Sequence, residues 1–255
     1  MPRFALLLEY DGAGFVGWQR QPGLVSVQSA LEEAAARLNG GVAPIAIAAG
    51  RTDSGVHAEG QVAGLEVSAE LPPERIRAAL DFHTKPHPMS VRAAAAAPEG
   101  WSARFSATRR RYRYRILNRA ARPGLEAGRV WHVPRPLDAA AMHRAAQALL
   151  GRHDFSAYRA ASCQAASALR TLDRLDVLCL GEEVVVAAEA RSFLHHQVRN
   201  LVGTLVEVGW GRRPAEWPRA VLDGRDRRRA GQTAPPEGLC FLSVEYPVAL
   251  DWRHA

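Results

Sequence analysis

A polar segment with two glycines, lying between two short apolar runs, constrains the fold of this chain more than any other feature. The apolar runs cover residues 45–49 and 62–67, and between them the chain reads Gly50-Arg51-Thr52-Asp53-Ser54-Gly55-Val56-His57. This order predicts a strand, a loop and a second strand. Glycines lack Cβ atoms, so a ligand can approach such a loop closely. An ordinary hairpin turn with a surface ion pair is the alternative, because Asp and Gly are common turn formers.

Length and charge narrow the class of protein. A chain of 255 residues forms one large domain or two small ones, and 47% apolar residues can build a sizeable core. The 33 basic residues exceed the 26 acidic ones and give a net charge of +7, which favours a polyanionic partner. Lys85 is the only lysine. Arginine suits phosphate because its planar fork can bond two oxygens, although a GC-rich genome also enriches arginine.

The cysteines and the hydropathy pattern indicate a compartment. Cys163, Cys179 and Cys240 are odd in number and far apart, so they predict neither a disulfide framework nor a Cys-x-x-Cys metal pair. The first apolar run is interrupted by Glu9, which is too early for a signal peptide. No apolar run approaches the roughly 20 residues of a membrane span. We therefore expect a soluble, cytoplasmic protein that works under reducing conditions.

Both halves of the chain show strands, helices and turns in a similar order. The predicted elements of the first half are strands at 4–10 and 89–97 and helices that begin after Ser26 and at Pro72-Pro73. Those of the second half are a helix at 137–150, a hairpin formed by 169–180 and 183–190, and a helix opened by residues 193–201. Pro98-Glu99-Gly100 is a plausible boundary. This pattern predicts two similar α+β lobes, one covering residues 1–100 and the other 101–255.

A dinucleotide-binding loop is the first alternative chemistry to consider. The glycines at 12, 14 and 17 follow a predicted strand with the spacing of such loops. Residues 18–23 separate the third glycine from the next helix, and the acidic residue expected after a second strand is missing. We therefore reject this interpretation. Trp18 and Arg20 in this segment either contact nucleic acid or form a packed corner.

Two histidine pairs raise the question of a metal site. His83 and His87 have the spacing of a helical metal pair, but Pro86 lies between them and prevents a continuous helix. The adjacent residues His195 and His196 have no third ligand nearby in the sequence. We expect no metal, and the sequence contains no P-loop or other cofactor motif.

The segment 105–117 alternates between aromatic or apolar and basic residues. In a strand, Tyr112 and Tyr114 face one side of the sheet, and the arginines at 111, 113 and 115 face the other. One interpretation is an exposed strand whose tyrosines pack inward. The other places an aromatic face against a nucleobase and the arginines near phosphate.

Several motifs, in order along the chain, closely resemble those of the TruA-type tRNA pseudouridine synthases. The segment Gly50 to His57, followed by Gly60-Gln61-Val62, matches the catalytic loop of that family. The other matching segments are Glu9-Tyr10-Asp11-Gly12 with Gly17-Trp18-Gln19-Arg20-Gln21, Arg110-Arg111-Tyr112-Arg113-Tyr114, His195-His196-Gln197-Val198-Arg199-Asn200 and Glu237-Gly238-Leu239-Cys240. Cys240 stands where the family has a tyrosine. The resemblance covers nearly the whole chain, from Glu9 to Tyr246.

This resemblance implies a role for each of five residues. Asp53 corresponds to the catalytic carboxylate, Tyr112 to the tyrosine that packs on the target uracil, and Leu239 to a residue lining the uracil pocket. Arg199 corresponds to the arginine that reaches the catalytic carboxylate. A charge pair with Arg51 or Arg199 is expected to keep Asp53 ionised.

The resemblance also implies a fold, a reaction and partners. The expected fold is two α+β lobes that share a mainly antiparallel sheet with a catalytic cleft between them. The expected enzyme is an isomerase, an intramolecular transferase that needs no cofactor. It converts uridine to pseudouridine at positions 38, 39 and 40 of the anticodon stem-loop of tRNA and forms a homodimer. A synthase for another RNA site, or an RNA-binding protein that has lost catalysis, are the competing hypotheses.

Overall fold

The computed structural model describes residues 1–254 and is a mixed structure of α-helices and mainly antiparallel strands. In chain order its elements are β1 (Arg3–Tyr10), α1 (Val27–Ala36), β2 (Ile47–Ala48), β3 (His57–Glu66), α2 (Pro73–His83), β4 (Met89–Ala96), β5 (Arg109–Leu117), β6 (Trp131–His132), α3 (Ala139–Gln147), β7 (Gly151–Asp154), β8 (Leu169–Leu180), β9 (Glu183–Ala190), α4 (Gln197–Gly209), α5 (Trp217–Gly224) and β10 (Leu239–Glu245). The predicted α+β class is confirmed. No helix within residues 1–254 is long and apolar enough to cross a membrane.

The chain forms two compact units. The first contains Met1–Arg110 and the segment that begins at Phe241, and the second contains Arg111–Cys240. The predicted division into 1–100 and 101–255 stays a prediction, and it differs from these units at both ends of the second one. Residues just after 100 belong with the first unit because the Trp101 ring lies 5.3 Å from that of Tyr246, whose hydroxyl donates to the carbonyl oxygen of Ala103 at 2.8 Å.

The first unit is built around β1. This strand pairs antiparallel with both β3 and β4, so it lies between them, and its side chains Leu6 and Leu8 are fully buried. Helix α1 begins where Ser26 accepts a hydrogen bond from the backbone N–H of Ser29 and Ser29 caps Ser26 in return. Its buried stripe includes Val27 and Leu31. The predicted helix start at Ser26 is therefore confirmed.

Strand β2 is shorter than the apolar run 45–49 that predicted it. The backbone N–H of Ala46 donates to the Glu32 carboxylate at 2.8 Å, and the carbonyl oxygen of Ala46 accepts from the Gln28 amide at 3.3 Å. Since side chains of α1 occupy both backbone groups, Ala46 has no groups left for a strand ladder. The neighbouring Ile45 is 76% exposed.

The second unit contains the antiparallel strands β7, β8 and β9, with β8 in the middle and β5 on the other side of β9. Strands β8 and β9 form the predicted hairpin, and Gly181 at its turn has a φ of +63°, which glycine adopts without strain. Helix α4 carries the apolar stripe that the sequence predicts, and Leu201 and Leu205 in it are fully buried. The core of this unit therefore follows the hydrophobic periodicity.

We predict that Gly203→Ala destabilises the protein because Gly203 in α4 lies directly against the backbone of Gln232. A Cβ atom at position 203 would overlap with the carbonyl oxygen of Gln232. Overpacking of this kind costs about 1–3 kcal/mol or more. Urea unfolding measures the difference. Gly124→Ala is the control, since no atom lies within 4 Å of a Cβ at that position. Equal unfolding midpoints for the two variants would contradict the packing argument.

Candidate active site

The loop between β2 and β3 makes a tight turn at Asp53. The backbone N–H of Val56 donates to the carbonyl oxygen of Asp53 at 3.1 Å, which closes a four-residue turn. Gly55 is the third residue of that turn and has a φ of +79°, the value a type II turn requires there. Asp53 is half-buried. The turn therefore presents its carboxylate from a fixed backbone position.

Two side chains from the sheet hold the residues on either side of Arg51. Gln61 in β3 is fully buried, and its amide donates to the carbonyl oxygen of Gly50 at 2.7 Å and accepts from the N–H of Gly50 at 3.4 Å. The hydroxyls of Tyr10 and Thr52 are 2.8 Å apart in a hydrogen bond. The amide of Gln61 thus acts as a neighbouring strand would, and it fixes the path of the loop.

The segment 11–18 closes over the same loop. The backbone N–H of Trp18 donates to the carbonyl oxygen of Thr52 at 2.9 Å, and the Ser54 hydroxyl donates to the carbonyl oxygen of Phe15 at 3.3 Å. Gly17 has a φ of +100°, and a Cβ there would lie 2.8 Å from the carbonyl oxygen of Thr52. The glycines in this segment therefore allow close backbone contact. Trp18 is only 2% exposed, so the packed-corner interpretation is confirmed for this residue.

Arg110 holds the start of the Asp53 loop by hydrogen bonds, a role that the sequence did not reveal. Its Nε and Nη2 both donate to the carbonyl oxygen of Ala49, at 2.9 and 2.6 Å, and Nη2 also donates to that of Arg104 at 2.7 Å. Arg110 is 7% exposed. The phosphate contacts suggested for the arginines at 111, 113 and 115 did not include Arg110, and its guanidinium binds carbonyl groups inside the protein.

Arg51 has a different environment from the residues beside it. Its side chain is exposed. It makes no ion pair or hydrogen bond within the part of the chain that the structure describes, so the surface ion pair of the hairpin-turn alternative is not formed. The structure therefore places Arg51 on the surface of the loop that carries Asp53.

The second unit contains Tyr112, Leu239 and Arg199. The Tyr112 ring packs edge-on against Phe193, with the ring centres 5.2 Å apart, and Tyr112 is 9% exposed. Leu239 at the start of β10 is 5% exposed. Its neighbour Gly238 lies so close to the ring of Tyr114 that a Cβ would be 2.6 Å away. The ring of Tyr112 is thus fixed by aromatic packing, and Leu239 is buried beside a glycine that contacts the Tyr114 ring.

The inward-facing interpretation of the β5 tyrosines holds for Tyr114. This residue is fully buried, and its hydroxyl donates to the carbonyl oxygen of Pro235 at 2.8 Å. Burial raises the pKa of Tyr114 far above its ordinary value, so the hydroxyl stays protonated and can donate. On the opposite face Arg115 pairs with Glu183 and Glu126, each at 2.6 Å. Arg115 is therefore engaged in ion pairs on the protein surface.

Arg199 is bonded to the segment that precedes Leu239. Its Nε donates to the carbonyl oxygen of Ala234 at 2.8 Å, and the N–H of Ala234 donates to the carbonyl oxygen of Arg199 at 3.1 Å. This reciprocal pair fixes the guanidinium relative to α4. It also holds the chain that leads into β10.

A buried network beside Arg199 was missed by sequence reasoning. Asn200 is fully buried, donates to the carbonyl oxygen of Tyr158 at 2.8 Å and accepts from the Thr233 hydroxyl at 2.7 Å and from Arg227 Nη2 at 3.0 Å. Arg227 belongs to the basic run 225–229, and burial lowers the pKa of its guanidinium. An asparagine inside a helix is intrinsically unfavourable. Its position within a predicted helix was the sequence signal that could have indicated a buried hydrogen-bond network.

A half-buried carboxylate on a braced loop has the chemistry to serve as a nucleophile or a base. Comparison with known proteins gives the particular family. A family model described as tRNA pseudouridine synthase matches residues 7–106 and 145–247. The chain belongs to this family.

Individual relatives match over almost the full length. The chain is 62% identical over 249 residues to tRNA pseudouridine synthase A of Acidiphilium cryptum, covering 97% of this chain and 98% of the relative. It is 55% identical over 248 residues to the protein of the same name from a Methylobacterium species, covering 97% and 98%. For that of Rhodospirillum rubrum the identity is 55% over 247 residues, covering 97% and 88%.

We predict that Gly17→Ala impairs the Asp53 loop more than Gly23→Ala does. Both glycines have positive φ, at +100° and +73°, so both substitutions strain the backbone. Only at position 17 would the new Cβ meet the loop, at 2.8 Å from the carbonyl oxygen of Thr52, because nothing lies within 4 Å at position 23. The expected extra cost is about 1–3 kcal/mol in unfolding free energy, together with a slower reaction. Equal stability and equal rates would show that the loop tolerates displacement at Thr52.

Proposed function

We propose that this protein isomerises uridine to pseudouridine at positions 38, 39 and 40 of the anticodon stem-loop of tRNA, with Asp53 as the catalytic carboxylate. The observation that carries the proposal is the loop geometry: Asp53 starts a closed turn whose neighbours are bonded to buried side chains of the sheet. Relatives over 97% of the chain are named tRNA pseudouridine synthase A. Mapping of pseudouridine in unmodified tRNA transcripts, after incubation with the enzyme, tests the positions.

The reaction explains why one carboxylate can suffice. The N1–C1′ glycosidic bond breaks, the uracil rotates within its pocket, and C5 bonds to C1′. The C5 proton passes to solvent and N1 takes up a proton, so that product and substrate are isomers. The carboxylate can attack C1′ or C6, or it can remove the 2′ proton to give a glycal. No step transfers electrons to a second molecule, and the reaction therefore needs no redox cofactor.

The other predicted site residues bind the substrate in this proposal. A base inside a stem must be extruded, which costs a few kcal/mol. Stacking on the Tyr112 ring returns roughly 1–3 kcal/mol, and Leu239 gives the detached uracil an apolar wall. Arg51 is exposed without a partner in residues 1–254, which suits contact with the RNA backbone. Arg199, held by Ala234, presents its guanidinium to the substrate in a fixed position.

The wider setting also belongs to this proposal. A net charge of +7 suits a polyanionic substrate such as tRNA. We infer a homodimer that acts in the cytoplasm, where tRNA is modified, and this inference follows the resemblance to the family.

We predict that Asp53→Asn abolishes tritium release from tRNA carrying 5-tritiated uridine. The amide keeps the size of the carboxylate but is neither a nucleophile nor a base at neutral pH. The affinity for tRNA should stay within a few fold, since phosphate contacts supply most of it. Asp173→Asn is the matched control, because Asp173 is exposed and lies in the second unit. Turnover of Asp53→Asn near that of Asp173→Asn would refute the assignment.

We predict that Tyr112→Ala slows the reaction by about 5- to 150-fold, which corresponds to the loss of roughly 1–3 kcal/mol of stacking. Tyr112→Phe keeps the ring and its packing on Phe193, and it should stay within about threefold of the wild type. Single-turnover rates measured on folded protein separate this effect from any loss of stability. If the alanine variant reacted as fast as the phenylalanine variant, Tyr112 would be a core residue only.

A further inference from the structure

A cavity of about 520 Å³ opens on the second unit, where arginines surround a tryptophan. Its lining residues are Glu207, Arg213, Trp217, Arg228, Arg229, Ala230 and Gly231. We propose that this cavity binds a backbone phosphate of the RNA substrate through Arg213 and Arg229. The inference rests on the proposed function for its partner, and it adds a contact outside the residues assigned to the reaction.

The charges around the cavity do not balance. Arg228 donates to both oxygens of the Asp226 carboxylate, at 3.1 and 3.0 Å, so its charge is compensated locally. The Glu207 carboxylate forms an ion pair with Arg212, whose Nη1 lies 3.4 Å from Glu207 Oε1. Arg213 and Arg229 make no ion pair within residues 1–254. Arg229 also interacts electrostatically with the Asp226 carboxylate. The lining nevertheless carries three arginines against the single carboxylate of Glu207, so positive charge is in excess and a phosphodiester supplies negative charge.

Both guanidinium groups are positioned by their surroundings. That of Arg213 lies 5.0 Å from the centre of the half-buried Trp217 ring, a cation–π contact. That of Arg229 lies over Gly224 at the end of α5, where a Cβ would be 3.1 Å from its Nη1. The carboxyl end of a helix favours a cation. Less side-chain entropy is then lost when these arginines bind an anion.

The cavity suits a backbone phosphate better than the terminal phosphates of a free nucleotide. Sites for the latter usually offer backbone N–H groups as a cradle. Here the N–H groups of Arg229 and Ala230 are already bonded to the carbonyl oxygens of Asp226 and Arg227, at 3.1 and 3.2 Å. The guanidinium groups are therefore the charged donors at this site, and they suit the oxygens of an RNA backbone phosphate.

The cavity wall continues into the segment that holds Arg199. Gly231 donates its N–H to the Thr204 hydroxyl at 3.1 Å and accepts from Arg227 Nη1 at 2.8 Å. Three residues later Ala234 makes its reciprocal bonds with Arg199. Three residues span at most about 10 Å. A phosphate bound here is therefore connected to Arg199 by a short and well-bonded stretch of chain.

The test compares two double variants in binding of an unmodified tRNA transcript over a range of KCl concentrations. For Arg213→Ala/Arg229→Ala we expect affinity near 0.15 M salt to fall about tenfold, and the slope of log K against log salt to decrease in magnitude by about 1 to 2. Arg122→Ala/Arg144→Ala removes the same charge from exposed positions of the same unit that lie outside the cavity lining. It should change affinity by less than about twofold, because distant charges are screened at this salt.

The outcomes decide the proposal in either direction. The variant Arg213→Lys/Arg229→Lys should retain most of the affinity, since phosphate is attracted by charge. Matched thermal midpoints would show that the variants are folded. An equal loss of tRNA affinity in both alanine double variants would overturn the proposal. Unchanged tRNA affinity in Arg213→Ala/Arg229→Ala would also overturn it, even if the wild-type cavity binds inorganic phosphate. Tritium release by the wild type tests the proposed function separately, since tRNA binding is measured without turnover.

Discussion

The buried amide of Gln61 is the interaction on which the candidate site depends. The loop that carries Asp53 lies outside the strand ladder, so the backbone of Gly50 needs other partners. Gln61 supplies both a donor and an acceptor from a fully buried position in β3. Burial strengthens these bonds and makes their loss costly. The sheet thereby determines where the loop leaves it, and the position of Asp53 three residues later follows.

Close backbone contact with a second segment also holds the loop that the Gln61 amide binds. The segment 11–18 lies on the loop through main-chain atoms, which Gly17 permits because it has no Cβ and adopts a φ of +100°. The glycines at 12, 14 and 17 have the spacing of a dinucleotide-binding motif in the sequence. In the structure they allow this segment to lie close to its neighbouring loops. Spacing alone does not distinguish these two uses, whereas the position of the following helix does.

Helix-capping and hydrophobic-periodicity patterns predicted most helices and strands, but few of the hydrogen bonds that support the site. The cap at Ser26 and the apolar stripe of α4 follow from patterns with a fixed period, and both are confirmed. The shortened β2 depends on Glu32, a buried carboxylate far from the strand in sequence, and the inward Arg110 depends on carbonyl groups of other segments. Such partners come together only when the chain folds. A sequence pattern therefore shows that a charged residue is present but not which group it contacts. The roles assigned to Asp53 and Tyr112 came from resemblance and await the tests above.

The second unit uses the same physical device as the first. Asn200, like Gln61, is a fully buried amide whose two ends bind chain segments that have no strand partner at that point. It ties the segment containing Thr233 to α4, beside the residue whose guanidinium is bonded to Ala234. In both units an unfavourable burial of polar groups is offset by hydrogen bonds at both the oxygen and the nitrogen of the amide, and an unbonded amide would be worse than an apolar side chain. That all-or-none character explains how the backbone beside these hydrogen bonds, at Arg51 in one unit and at Arg199 in the other, is held in place.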